Sequence, residues 1–330
     1  MPRVFVARAI PAAGLDLLRP HAELDVWPDC LPPPRAALLE RVRGAGAVLS
    51  LLTDRIDAEV MDAAGPGLKV ISNYAVGLDN VDLAEAARRG IPVGHTPGVL
   101  TESTADLAFA LLLAAARRLP EGERAVKAGQ WLTWEPTWML GRDVASATLG
   151  IVGYGRIGRA VAARARGFRM RVLACGRTPI ADPAGAQEVT MDELLARSDF
   201  VSLHAPLTDA TRHLIRRETL ARMKRGAILI NTARGGLVDQ DALAQALRDG
   251  HLAGAALDVT TPEPLPADHP LLQVPTCLVV PHVGSATIET RNRMAEIAAR
   301  NALAGLRGEP LPAPAPGATA APGTGTARRG

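Results

Sequence analysis

The sequence predicts an α/β protein built from two doubly wound parallel-sheet domains, and three observations carry that prediction. Short apolar, β-rich runs alternate with helical stretches almost from end to end, the pattern of helices wrapped around parallel sheets. The chain has 330 residues, more than one hydrophobic core ordinarily serves. One strand-to-helix turn near mid-chain is glycine-rich, in the setting where such sheets bind ligands.

In chain order, residues 4–7, 24–27, 47–52, 69–72 and 92–94 read as strands, with helices over 12–19, 35–42, 57–63 and 82–89 between them, a five-strand module. A long helix is expected to begin near 101–104, where Thr101, Ser103 and Thr104 can cap free backbone N–H groups, and to run to about Leu119. Its stretch 107–116 is apolar on most faces and is expected to be buried. Residues 130–140 hold Trp131, Trp134 and Trp138, three of the 4 tryptophans, and mark an interface or site loop. The second module has strands at 149–152, 171–175, 200–203, 228–231, 255–257 and 278–280. Its helices lie over 156–166, 191–197, 216–223 and 240–249, and Thr190 with Glu193 has capping-box spacing. A last helix over 286–306 is long enough to return to the first module. The expected division is therefore a domain of residues 1–98 plus 286–312, a second of 99–285, and a flexible Pro/Ala/Gly-rich end at 313–330.

Apolar residues make up 48% and charged residues 22%, which supports packed cores and argues against general disorder. The net charge is +3, and among the 37 basic residues only Lys69, Lys127 and Lys224 are lysines. The arginines are spread without a basic block, and 4 Trp, 2 Tyr and 4 Phe are too few for base-stacking platforms, so no nucleic-acid partner is expected. Cys30, Cys175 and Cys277 are odd in number and far apart, which argues against a disulfide framework or a bound metal and fits a reducing cytoplasm. The apolar run 4–7 is too short for a signal-peptide core, and no stretch has the length and apolarity of a membrane span.

Gly153-Tyr154-Gly155-Arg156-Ile157-Gly158 follows a predicted strand and opens a helix, the context that a dinucleotide fingerprint requires. The first glycine permits the tight turn, the second lets backbone N–H groups approach a pyrophosphate, and the third lets helix pack on strand. The helix N-terminus favours the anion. About 20 residues on, where an NAD-preferring site places a carboxylate against the ribose 2′-hydroxyl, the chain has Cys175-Gly176-Arg177-Thr178. Arg177 and the Thr178 hydroxyl can instead meet a 2′-phosphate, so NADPH is expected to be preferred, with NADH possible.

Three later segments each place polar groups just beyond a strand's carboxyl end, where open α/β sheets bind ligands. The segment 231–236 offers Arg234, 257–264 offers Asp258 and Glu263, and 280–285 offers His282. Singly each reads as a surface charge or a satisfied histidine; on successive strand ends of one cofactor-binding sheet they read as a site.

Asn73-Tyr74-Ala75-Val76-Gly77-Leu78-Asp79-Asn80, Thr104-Ala105-Asp106-Leu107-Ala108-Phe109-Ala110, the glycine-rich turn, Val201-Ser202-Leu203-His204-Ala205-Pro206-Leu207-Thr208 and those three segments together resemble the D-isomer-specific 2-hydroxyacid dehydrogenases, over about residues 3–312. Within that family, segments 134–138, 258–266 and 305–310 look most like glyoxylate/hydroxypyruvate reductases. The resemblance implies that Arg234 binds the substrate carboxylate and polarises the C2 carbonyl, for which a bidentate guanidinium is suited. It implies that His282 gives a proton to the C2 oxygen, and that Glu263 hydrogen-bonds His282 and favours its protonated ring. Asp258 would accept from the nicotinamide carboxamide, and Thr232, Pro206 and Gly284 would line the cofactor. Val76 and Gly77 would offer backbone N–H groups to the substrate carboxylate, with Leu52 and Ser285 near the pocket. Trp138 would enter the neighbouring subunit's site from the arm of a homodimer. His204 also follows a strand, but only His282 has the family's Pro-His-x-Gly-Ser setting.

The expectation is a pair of Rossmann-like domains with the active site in the cleft between them, reducing glyoxylate to glycolate and hydroxypyruvate to D-glycerate, a small 2-keto acid in each case. Its rivals are another family member, of phosphoglycerate or 2-ketogluconate type, and a nucleotide-sensing interaction protein on the same scaffold. The set Arg234, Glu263 and His282 favours catalysis. A formate-type enzyme is less suited, because a substrate without a carbonyl oxygen needs no proton donor.

Overall fold

The computed structural model describes residues 1–177, 179–180 and 185–316, and the chain divides into two compact units. The first takes residues 1–100 and the chain from 286 onward, the second residues 101–285. Among the described residues, no helix is long and apolar enough to cross a membrane, and no group of three or more His, Cys, Asp or Glu is placed to hold a metal.

The first unit runs β1 (Arg3–Val6), α1 (Ala12–Leu18), β2 (Glu23–Val26), α2 (Arg35–Arg41), β3 (Ala47–Ser50), α3 (Ala58–Ala64), β4 (Val70–Asn73), α4 (Leu83–Arg88) and β5 (Val93–Gly94). The strands form one parallel sheet in the order β2-β1-β3-β4-β5. β3 and β4 are buried along their whole length, which is why both read as continuous apolar runs rather than as alternating ones. Period-2 geometry sends Val4, Val6 and Leu49 to one core and Phe5, Val48 and Ile71 to the other.

The second unit opens with α5 (Thr101–Ala116), whose Ala105, Ala108, Phe109, Leu111 and Leu112 are buried. The helix was expected to reach Leu119, but it ends at Ala116 and a separate α6 (Leu119–Lys127) follows. Arg118 adopts the left-handed conformation at φ 52°, and Pro120 in the first turn of α6 has no N–H with which to continue the preceding helix. Then come β6 (Thr148–Val152), α7 (Arg156–Gly167), β7 (Arg171–Cys175), β8 (Gln187–Glu188), α8 (Met191–Arg197), β9 (Phe200–Leu203), α9 (Arg217–Arg222), β10 (Ile228–Asn231), α10 (Gln240–Arg248), β11 (Gly254–Leu257) and β12 (Cys277–Val279). The parallel sheet has seven strands, in the order β12-β11-β10-β9-β6-β7-β8, one more than expected. The additional edge strand, β8, is two exposed polar residues, which carry no hydrophobic signature. Thr190 caps α8 and Glu193 returns the bond, the expected capping box. Ile228 and Ile230 face α5 and α7, while Leu229 faces the opposite core, so both faces of the sheet are covered.

The last helix, α11 (Ile288–Arg307), packs on α1, β3 and β4 of the first unit. Its fully buried Asn301 donates from Nδ2 to the His95 carbonyl at 3.0 Å and accepts the Ala313 N–H on Oδ1 at 3.0 Å. Residues 313–315, expected to belong to the flexible end, are therefore held in place. Ala313 accepts the His95 N–H, Pro314 bridges Gly94, and the buried Ala315 donates to Val93 at 2.8 Å, all edge-strand hydrogen bonds that β5 leaves open. Residues 317–330, the rest of the segment expected to be flexible, lie outside the described residues.

Candidate active site

In the second unit the strand order reverses between β6 and β9, and ligands of such sheets bind beyond the carboxyl ends at that reversal. Gly153 leaves β6 at φ 92°, and a Cβ there would lie 2.6 Å from the Ala205 nitrogen and 2.7 Å from the His204 carbonyl carbon, at the exit of β9. A Cβ on Gly158 would run into the Gly153 carbonyl oxygen, so the helix sits directly on the turn. A Cβ on Gly155 would meet open space instead. Gly155 is the N-cap of α7 and offers the helix no side-chain cap, so the first N–H groups of α7 face outward beside the exposed Arg156. Ile157 packs against the core under α7. Thr232, just past β10, buries its hydroxyl oxygen without a hydrogen-bond partner. Open space at Gly155 and an orphaned hydroxyl at Thr232 fit a bound dinucleotide that supplies the missing contact and donor.

Arg177 is exposed two residues beyond β7, Thr178 lies outside the described residues, and Pro206 is exposed in the loop after β9. Desolvation of the His204 ring pushes its pKa down to about 4, and Nε2 lies 2.8 Å from the Ser202 hydroxyl. Burial thus favours the neutral form of this imidazole.

Arg234 follows β10 in extended conformation. Its loop is held by the fully buried Asn231, whose Oδ1 accepts the Ala233 N–H at 3.0 Å and whose Nδ2 donates to the Arg234 carbonyl at 2.9 Å. Glu263 lies in the loop after β11, where its Oε1 accepts the Thr260 N–H at 3.1 Å. Its Oε2 is 2.8 Å from His282 Nδ1, and a carboxylate only accepts, so Nδ1 is the donor and Nε2 is the ring nitrogen left for other chemistry. Burial pushes the Glu263 carboxyl up, but the His282 hydrogen bond and charge, the Thr260 N–H and the Arg234 charge together carry it below its ordinary value.

His282 itself sits at φ 53°, a left-handed conformation in a non-glycine residue. Asp258 holds it there. The Asp258 carbonyl accepts the His282 N–H at 2.9 Å, while Oδ1 accepts from Val283 at 2.6 Å and Oδ2 from Gly284 at 2.9 Å. Asp258 is 2% exposed, and burial outweighs these donors and raises its pKa. Thr104 on α5 donates to the Gly284 carbonyl at 3.3 Å, and the half-buried Ser285 follows.

In the first unit, Leu52 follows β3, and Val76 and Gly77 follow β4, all half-buried. A polar network that sequence reasoning missed ties these loops together. Asn73 Nδ2 donates to the Gly77 carbonyl and to Asn80 Oδ1, each at 3.0 Å. Asn80 Nδ2 donates to the Leu51 and Asp54 carbonyls, each at 2.9 Å. His95 Nδ1 lies 3.1 Å from the Val76 carbonyl. Asn73 and Asn80 stood in plain view in the sequence, but nothing in their spacing says that Asn80 meets backbone groups of a separate loop, the one after β3. In the 130–140 segment Trp138 is half-buried, whereas Trp131 and Trp134 are 62% and 79% exposed.

A seven-strand dinucleotide sheet carrying an arginine and a carboxylate-paired histidine at its strand ends defines a nicotinamide-dependent oxidoreductase. The chain belongs to the D-isomer-specific 2-hydroxyacid dehydrogenases: residues 109–284 match the family's NAD-binding domain. It is 54% identical over 312 residues to the glyoxylate reductase of Korarchaeum cryptofilum, covering 93% of this chain and 94% of that one. Among solved structures, the TT0316 protein of Thermus thermophilus superposes with a TM-score of 0.91 at 55% identity, covering 94% of this chain and 99% of the other. The NADPH-dependent glyoxylate/hydroxypyruvate reductase of Sinorhizobium meliloti, solved with NADP and malonate, gives a TM-score of 0.85 at 31% identity, covering 98% and 99%.

Proposed function

We propose that the protein reduces glyoxylate to glycolate and hydroxypyruvate to D-glycerate, using NADPH in preference to NADH, with His282 as general acid. The observation that carries this reading is the 2.8 Å pairing of His282 Nδ1 with Glu263 Oε2, which fixes the ring and leaves Nε2 to face a substrate oxygen. The names of the relatives above support the substrate class.

Reduced nicotinamide, when bound, supplies a hydride to C2 of the keto acid. Arg234 pairs with the substrate carboxylate and polarises the C2 carbonyl. His282 gives the proton that converts the developing alkoxide into the hydroxyl, and Glu263 steadies the ring as its charge changes. Val76 and Gly77 present N–H groups to the carboxylate, and Leu52 and Ser285 are further substrate contacts. Gly153, Gly155, Arg156, Ile157 and Gly158 hold the pyrophosphate end of the cofactor; Arg177 and Thr178 take the 2′-phosphate. Thr232, Pro206 and Gly284 line the cofactor, and Asp258 has lone pairs left for the carboxamide. The exposed Trp131, Leu132, Trp134 and Leu140 form an apolar arm suited to a homodimer, from which Trp138 reaches the neighbouring site. Three free cysteines suit a reducing cytoplasm.

The test is oxidation of NADPH and of NADH, followed by absorbance, with glyoxylate, hydroxypyruvate, pyruvate and 3-phosphohydroxypyruvate. Fast turnover of the first two with NADPH is expected; preference for the phosphorylated acid would overturn the substrate assignment. His282→Ala is expected to lose about 10² to 10⁴ in kcat with cofactor binding intact, and wild-type turnover would remove His282 from the mechanism.

A further inference from the structure

The loop carrying Glu263 is poor in backbone donors, because Pro262, Pro264 and Pro266 have no N–H, so it cannot hold itself with a ladder of its own. Gln240, the first residue of α10 and 9% exposed, holds it from outside. Its Nε2 donates to the Thr261 carbonyl at 2.6 Å, and its Oε1 accepts the Thr261 N–H at 2.8 Å. One side-chain amide thus satisfies both backbone groups of one residue, as a neighbouring strand would. The adjacent Asp239 caps the helix by accepting the Ala242 N–H at 3.0 Å, so the amide projects from an anchored end.

From Thr261 the constraint passes in two short steps to the acid pair. The Thr260 N–H donates to Glu263 Oε1, and the Thr260 hydroxyl donates to the Pro262 carbonyl at 2.8 Å, closing the loop around the carboxylate. On its other side, Thr260 lies against Gly235, where a Cβ would overlap the Thr260 carbonyl oxygen. The residue after Arg234 and the residue that steadies Glu263 are therefore in register, with Gln240 pinning the next position.

We infer that Gln240 is a positioning residue for the reaction: it sets the place of Glu263 and, through Glu263, the orientation of the His282 ring. The inference rests on the Glu263–His282 acid pair described above. Glutamine suits the position because only a side chain with a donor and an acceptor on one carbon meets both groups of Thr261. Glutamate keeps the bond from the Thr261 N–H and loses the one to its carbonyl, and methionine loses both.

A double-mutant cycle on the full-length enzyme tests this, with Gln240→Met and Glu263→Gln made singly and together. Gln240→Met is expected to lower kcat by about 10- to 100-fold, the scale of an ångström-sized displacement at a reacting group. The KM for NADPH should stay unchanged, and Gln240→Glu, which sets a carboxylate oxygen against the Thr261 carbonyl, should lower kcat at least as far as Gln240→Met. In the Glu263→Gln background the same replacement should change kcat less than about twofold, since its route to His282 has been removed. Losses that multiply, or a wild-type kcat in Gln240→Met, would overturn the inference and leave the acid pair standing. A wild-type kcat in Glu263→Gln would overturn both. If Gln240→Met does not fold, the cycle is run with Gln240→Glu and read in the same way.

Discussion

Asp258 grips the loop of His282 at three points: its carbonyl takes the His282 N–H at 2.9 Å, and its two carboxylate oxygens take the N–H groups of Val283 and Gly284. A left-handed histidine backbone costs on the order of 1–3 kcal/mol and persists only when its surroundings over-determine it. Asp258→Asn keeps the size but turns an NH2 toward one of the two donors. Its kcat is expected to fall about 100-fold, a larger effect than the rise in the KM for NADPH from the weakened carboxamide bond, measured by steady-state kinetics. A rise in that KM alone would make Asp258 a cofactor contact and nothing more.

The proposed preference for NADPH turns on Arg177. A charge-assisted hydrogen bond to a phosphate contributes about 1.5–3 kcal/mol, so Arg177→Ala should raise the KM for NADPH by roughly 10- to 100-fold and leave that for NADH within about twofold. Equal effects on both would sink the 2′-phosphate assignment.

The strand ends were legible in the sequence because apolar runs stop abruptly at polar residues there, as at Asn231, Asp258 and His282. The edge strand β8 was not, since Gln187 and Glu188 bury nothing. The break at Arg118 was foreshadowed by Pro120, but the apolar run before it reads on as one helix until the proline is given priority. Asn80 and Gln240 were invisible for a different reason: each satisfies backbone groups of a loop that the fold alone brings to it.

His204 makes the fold sensitive to acid. Its pKa is about 4 in the folded chain against about 6.5 when unfolded, so the unfolded state binds more protons between those values. Stability should therefore fall as pH drops from 6.5 towards 4 and level off below. His204→Gln should lose less melting temperature between pH 7 and pH 5 than wild type does, by calorimetry. Parallel curves would mean that the ring titrates normally in the folded chain.

Asn80 joins the loops after β3 and β4 through a single amide, which donates to Leu51 and Asp54 and leaves Oδ1 for Asn73. Asn80→Ala strands two carbonyls and one side-chain donor, at a cost of about 1–3 kcal/mol for the groups that stay buried. The loop bearing Val76 and Gly77 then loses its fixed distance from Leu52, so the KM for glyoxylate should rise by roughly 10-fold while that for NADPH holds. Asn80→Asp keeps the acceptor for Asn73 but sets a carboxylate oxygen against the Leu51 and Asp54 carbonyls, and should be at least as damaging. An Asn80→Ala enzyme with wild-type KM and a lowered melting temperature would confine Asn80 to stability, and would leave the placement of Val76 and Gly77 to His95 and Asn73.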